Sequence, residues 1–151
     1  MASRSGRRPG CLLIAALAAF LAAAGVNPPL PTATLTVAGR VTLTVELART
    51  PVEQTRGLSH RPELAEGQGM AFLYRAPQPV GIWMKDMRFP LDILWVREGR
   101  IVKIERHAPP LRPGDPEQVY TATADLVLEV PAGYTERAKI KVGDSVKLRA
   151  Q

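Results

Sequence analysis

The sequence predicts a mainly β domain with a minor α component: about eight short, mostly antiparallel strands in a partly closed barrel or sandwich, with two short helices. Three observations predict it. Apolar residues alternate with threonines through residues 34–47, further strand-like runs recur between glycine and proline turns up to residue 149, and no helical pattern is long enough for a bundle or for parallel βαβ crossovers.

Each element has its own signal. Leu35 and Val37, then Val41, Leu43, Val45 and Leu47, alternate with Thr34, Thr36, Thr42, Thr44 and Glu46, with Gly39-Arg40 between the runs. A period of two with threonines outward reads as a β-hairpin. Thr50-Pro51-Val52-Glu53 starts a short helix through about Leu58. Thr50 can accept from a free backbone N–H, Glu53 can reach back, and proline suits the first helical position. Past the Gly67 and Gly69 turn, residues 70–74, 80–85, 92–97 and 100–106 read as strands, with Glu98-Gly99 as the tight turn joining the last two. Residues 107–117 hold four prolines and one glycine and are expected as a long irregular loop, a kind of segment often used for function. A strand over 124–130, a helical segment over 131–138 and a final strand over 145–149 complete the domain.

Ahead of it, Arg4, Arg7 and Arg8 precede an unbroken apolar run over residues 11–26 that ends in Ala22-Ala23-Ala24 and then Asn27-Pro28-Pro29. This order is that of a secretory signal peptide, expected over residues 1–24. The apolar run is shorter than the roughly 20 residues that span a bilayer, which favours a cleaved leader over an uncleaved anchor. Cys11, the sole cysteine, stands at the start of that run and not after it, which argues against lipidation. Residues 25–31 are expected as a proline-rich spacer and residues 32–151 as one domain, exported to the periplasm or beyond. Membrane contact is expected only through the N-terminal segment, were it retained.

The chain carries 20 basic and 14 acidic residues, a formal charge of +6, and loss of the three leader arginines leaves +3. The charges are scattered and form no basic run, so nucleic acid is not expected as a partner. The domain after the leader has no cysteine for disulfides or thiol chemistry. His60 and His107 lie far apart, so no metal site is expected, and no glycine-rich phosphate loop or serine elbow suggests a cofactor or nucleophile.

Residues 81–95 gather Trp83, Trp95, Met84, Met87 and four charged side chains into one strand-turn-strand unit. Large apolar groups beside a few ionisable ones are what a small-molecule pocket needs. Asp92 opens an apolar strand, where a carboxylate pulled inward must find a partner or raise its pKa. It is a candidate general acid or base, against the simpler role of accepting turn N–H groups. Glu129 interrupts the apolar run Leu126-Val127-Leu128-Val130 and reads foremost as one half of a structural ion pair with Arg56, Arg61 or Lys85.

The chain also resembles a known family. Arg56-Gly57-Leu58 with Arg61, Gly69-Met70 with Phe72, Trp83-Met84-Lys85, Pro90-Leu91-Asp92-Ile93-Leu94, Ala108-Pro109-Pro110, Leu128-Glu129-Val130 with Ala132-Gly133, and Lys141-Val142-Gly143-Asp144 occur in the order seen in the DUF192 family, across about residues 41–149. The resemblance implies a compact β-rich fold and an exported or membrane-tethered location, and implies no reaction. Asp86-Met87 and His107 stand where the family tends to have asparagine-threonine and asparagine.

Three functions are consistent with these residues. The favoured one is a binding module of the cell envelope for a small polar ligand or peptide, with Arg61, Trp83, Met84, Lys85, Asp92, His107 and Glu129 as candidate binding residues. The others are a hydrolase using Asp92, which requires a raised Asp92 pKa in a cleft, and a structural envelope protein that contacts a partner through an apolar face.

Overall fold

The alternating leucines, valines and threonines form strands β1 (Thr32–Val37) and β2 (Val41–Ala48), antiparallel, with Val37 opposite Val41. The computed structural model describes residues 27–150, so the leader expected over residues 1–24 lies outside the described residues. Side chains alternate across a pleated strand, so Leu35, Val37, Leu43, Val45 and Leu47 all enter the core.

Helix α1 (Pro51–Arg56) begins as the sequence indicates. The Glu53 N–H donates to Thr50 Oγ1, and the Thr50 N–H donates to the Glu53 carboxylate at 2.9 Å. The chain beyond the helix departs from expectation. Strand β3 (Gln68–Trp83) pairs with β2 in parallel, with Thr44 opposite Gln68, so residues 49–67 form a crossover connection with only a six-residue helix in it. Such a short helix leaves little periodic signal, which is why the sequence suggests no parallel pair.

The run at 70–74 and the part of the run at 80–85 up to Trp83 prove to be one long strand. Residues 74–77 are looped out opposite Asp125 alone, after which the register resumes with Gln78 opposite Ala124. Pro77 lies in the looped-out stretch and Pro79 in the half of β3 beyond the β2 pairing, positions where a missing N–H is tolerated. This merger reduces the expected eight strands to seven.

Strands β4 (Leu91–Arg97) and β5 (Arg100–Ala108) are joined through Glu98 and Gly99, both with positive φ, as a type I′ turn demands. The proline-rich loop starts after Ala108 and is fastened by the Leu111 N–H to the Met84 carbonyl at 3.1 Å. Strand β6 (Val119–Pro131) pairs with β3 and β4, helix α2 (Tyr134–Arg137) comes next, and β7 (Val146–Ala150) pairs with β1.

The sheet order is β5-β4-β6-β3-β2-β1-β7, curled into a half-barrel. Its two edges meet where Arg100 bridges Ser145 and the Val146 N–H donates to the Gly99 carbonyl. Inside the curl lies one core, with Leu35, Leu94, Ile101 and Leu128. A second core, with Leu58, Met70, Phe72, Ile82, Ile93 and Trp95, lies on the other face, under the crossover and the far half of β3. The described part of the expected spacer is docked: Asn27 Nδ2 donates to the Gly57 and Ser59 carbonyls, and the Leu30 N–H donates to the Glu46 carboxylate.

Candidate functional site

Glu129 lies in the middle of β6, with Met70 of β3 and Ile93 of β4 as cross-strand neighbours, so its side chain is delivered to the second core. It is 5% exposed and, among the described residues, makes neither a hydrogen bond nor an ion pair. The ion pair expected for it does not form. Arg61 is instead committed to Glu46, with Nη2 2.9 Å from Oε2, and Arg56 and Lys85 stand within salt-bridge reach of no described carboxylate. Burial pushes the Glu129 carboxyl from its ordinary 4.5 up to about 8, so near neutral pH it holds its proton.

A cavity of about 350 Å³ opens over this carboxyl. Leu58, Phe72, Tyr74 and Ile82 wall it, and the more exposed Arg56, Trp83, Lys85 and Val119 surround its mouth. Trp83 is 46% exposed, is paired in register with Val119, and has the Lys85 ammonium 5.6 Å from its ring centroid, within cation–π range. Two glycines give the wall its shape. Gly57, with φ of 48°, turns the chain back after α1 so that Leu58 and Ser59 line the cavity. A Cβ on Gly81 would fall 2.8 Å from Val119 Cγ1. Burial, and then the charge of Glu129, push the Tyr74 hydroxyl above its usual range.

Asp92 has the opposite surroundings. It is fully buried on the other face of the sheet, where Oδ1 accepts from the His107 and Gly133 N–H groups and Oδ2 accepts from the Thr135 N–H and Oγ1, at 2.7–3.1 Å. Burial alone would raise this carboxyl. The hydrogen bonds, led by that from His107, outweigh it and hold the group below the usual carboxylate range. The raised pKa that a general acid or base would need is therefore not present, and Asp92 acts as a clasp between a bulge in β5 and the start of α2.

Of the seven candidate residues, the cavity brings together Trp83, Lys85 and Glu129. Met84 is buried beneath a separate hollow of about 140 Å³ formed with Pro109, Pro110 and Leu111. His107 serves Asp92 through its backbone, with its ring 3.4 Å from Glu136. Arg61 is spent on Glu46, where burial raises that carboxyl but the Arg61 guanidinium and the Leu30 N–H bring it below its usual range. Tyr74, Gly81 and Arg56 were not among the binding residues expected from the sequence, where Arg56 entered as a partner for Glu129 and in the family pattern. Only the bend in β3 and the turn after α1 bring them to the cavity.

Fold and site together define a class: a curled half-barrel domain with a cavity of mixed apolar and polar lining that includes one buried carboxyl. No curated protein matches the sequence. The family model for DUF192, described as an uncharacterized ACR, matches residues 33–148, and the chain belongs to that family. Two solved structures are similar. One, from Sinorhizobium meliloti and provisionally named a transcription regulator, is 31% identical with a TM-score of 0.73, over 80% of this chain and 95% of that one. The other, a Novosphingobium aromaticivorans protein of unknown function, is 35% identical with a TM-score of 0.68, over 79% of this chain and 84% of that one.

Proposed function

We propose that the domain is a binding module of the cell envelope and that its small ligand occupies the Glu129 cavity. One observation carries this reading: a carboxyl at least nine-tenths buried, without a protein partner among the described residues, faces a cavity of about 350 Å³. A buried polar group left unpaired costs about 1–3 kcal/mol, and a ligand that pairs with it recovers that cost. The cavity lies within the size range of small-molecule sites and sets the apolar Leu58, Phe72 and Ile82 beside polar groups that include Gln54, Thr55, Ser59 and Tyr74. The envelope location rests on the basic-then-apolar order of residues 1–26 and on the absence of cysteine after the leader.

The test is a ligand-library thermal-shift screen with native mass spectrometry, followed by titration of each hit against tryptophan fluorescence. Hits should change the emission in wild type, lose most of that change in Trp83→Phe, and bind at least about tenfold more weakly to Glu129→Leu, the equivalent of 1.4 kcal/mol. A thorough screen without hits, or hits indifferent to both substitutions, sinks the binding reading. N-terminal sequencing of protein recovered from cells checks the location: a mature terminus near Gly25 is expected, and an intact Met1 on soluble protein argues against export.

A further inference from the structure

We infer that the ligand is an amino-acid-like zwitterion: its ammonium sits on Glu129, its apolar body lies between Phe72, Tyr74 and Trp83, and its carboxylate meets Lys85 and Arg56 at the mouth. This rests on the cavity being the binding site, as proposed above, and it adds the chemistry of the occupant.

The charges are separated by depth. The acid is at the base, 5% exposed, while the two cations that line the same cavity are exposed and have no carboxylate within salt-bridge reach among the described residues. A ligand that satisfies both ends pairs with the carboxyl inside and brings an anion outside. The cavity favours a cation over a neutral donor, because Phe72 and Tyr74 in its wall and Trp83 at its mouth are aromatic, and the negative faces of such rings attract ammonium groups. A plain amine would meet two positive side chains at the entrance, so a carboxylate on the same molecule offsets that repulsion and sets its orientation. A plain carboxylate held at the mouth would leave Glu129 facing an apolar group, and one that entered far enough to accept from the Glu129 hydroxyl would give up the two cations at the mouth.

The proton count is definite. Near neutral pH the free domain holds Glu129 as the neutral acid and the ligand arrives as an ammonium; the complex contains a carboxylate–ammonium pair, so the Glu129 proton passes to the buffer. The other titratable groups lining the cavity are Tyr74 of β3, Arg56 of α1 and Lys85 beyond β3. Release should fade as pH rises past about 8, where Glu129 is already ionised before the ligand arrives.

Calorimetric titration of the full chain at pH 7, in two buffers of different ionisation enthalpy, tests the inference with three probes of matched size: L-phenylalanine, 2-phenylethylamine and 3-phenylpropionate. Phenylalanine should bind most tightly, the amine next and the acid at least about tenfold more weakly than phenylalanine. Close to one proton should leave per phenylalanine bound. Glu129→Gln, checked for an intact melting transition, should abolish the release and weaken phenylalanine about tenfold or more. Arg56→Met with Lys85→Met should erase the advantage of phenylalanine over the amine. Tightest binding by 3-phenylpropionate, phenylalanine binding without proton release, or indifference to Glu129→Gln overturns the inference. If none of the probes binds but the library yields amine-free ligands sensitive to Glu129→Leu, the zwitterion fails and the cavity reading stands; if nothing binds at all, both fail.

Discussion

Asp92 receives four hydrogen bonds and Glu129, among the described residues, none, although both are buried on adjacent strands of one sheet. In the sequence the two look alike, each an acidic residue among apolar strand residues, and Asp92 attracts more attention because it follows Pro90-Leu91. Their difference lies in donors that come from elsewhere: the His107 N–H at a bulge, and the Gly133 and Thr135 N–H groups some forty residues on. No local pattern reveals that convergence. Asparagine at position 92 would keep the shape but turn an NH₂ group toward backbone donors, leaving buried N–H groups unpaired. Asp92→Asn should therefore lose about 2–4 kcal/mol in urea denaturation while ligand affinity per folded molecule stays unchanged. The departures from the family pattern at Asp86 and His107 also find a backbone explanation. Both positions have positive φ, near 59° and 54°, a region that asparagine, aspartate and histidine enter more readily than most residues.

At the scale of elements, the connection from β2 through α1 to β3 makes the site. Its start was fully legible, since Thr50, Pro51 and Glu53 form the capping arrangement that their spacing indicates. The parallel pairing that it feeds was not, because pairing partners are set by the core that both strands share and not by either strand's own alternation. The strands at 92–97 and 100–106 and the turn at Glu98-Gly99 could be read from the sequence for the opposite reason, as a hairpin's signals are all local. The helix is short, has no buried side chain, and depends on its cap. Thr50→Ala should cost about 1 kcal/mol of stability. Hydrogen exchange should quicken at residues 51–59 and not in β4 or β6, and ligand affinity should fall because Gly57 and Leu58 lose their placement. Equal exchange throughout the domain would show that α1 is no independent wall of the site.

For the whole molecule, the two buried carboxyls impose opposite pH dependences. Glu129 is raised from 4.5 to about 8 in the folded state, so the folded chain binds more protons across that interval. Stability is then full below about 4.5 and declines as pH rises toward 8, by on the order of 4 kcal/mol for a fully buried group. Asp92 is lowered, so its contribution is present above its ordinary 3.8 and is lost as pH falls below it. Urea denaturation in the absence of ligand should place maximum stability between about pH 4 and 5, on the acid side of neutrality. Glu129→Gln should flatten the decline between pH 4.5 and 8; an unchanged slope would mean that the Glu129 carboxyl is hydrated when folded.

The pairing of β1 with β7, Ala33 opposite Ala150 and Val37 opposite Val146, ties nearly the first described residues to the last. More than a hundred residues separate these partners in the sequence, so β1 waits with one side unpaired until β7 has been made, and the half-barrel cannot curl shut before then. Removal of β7 would leave a permanent open edge beside Leu35, inviting other chains to pair there.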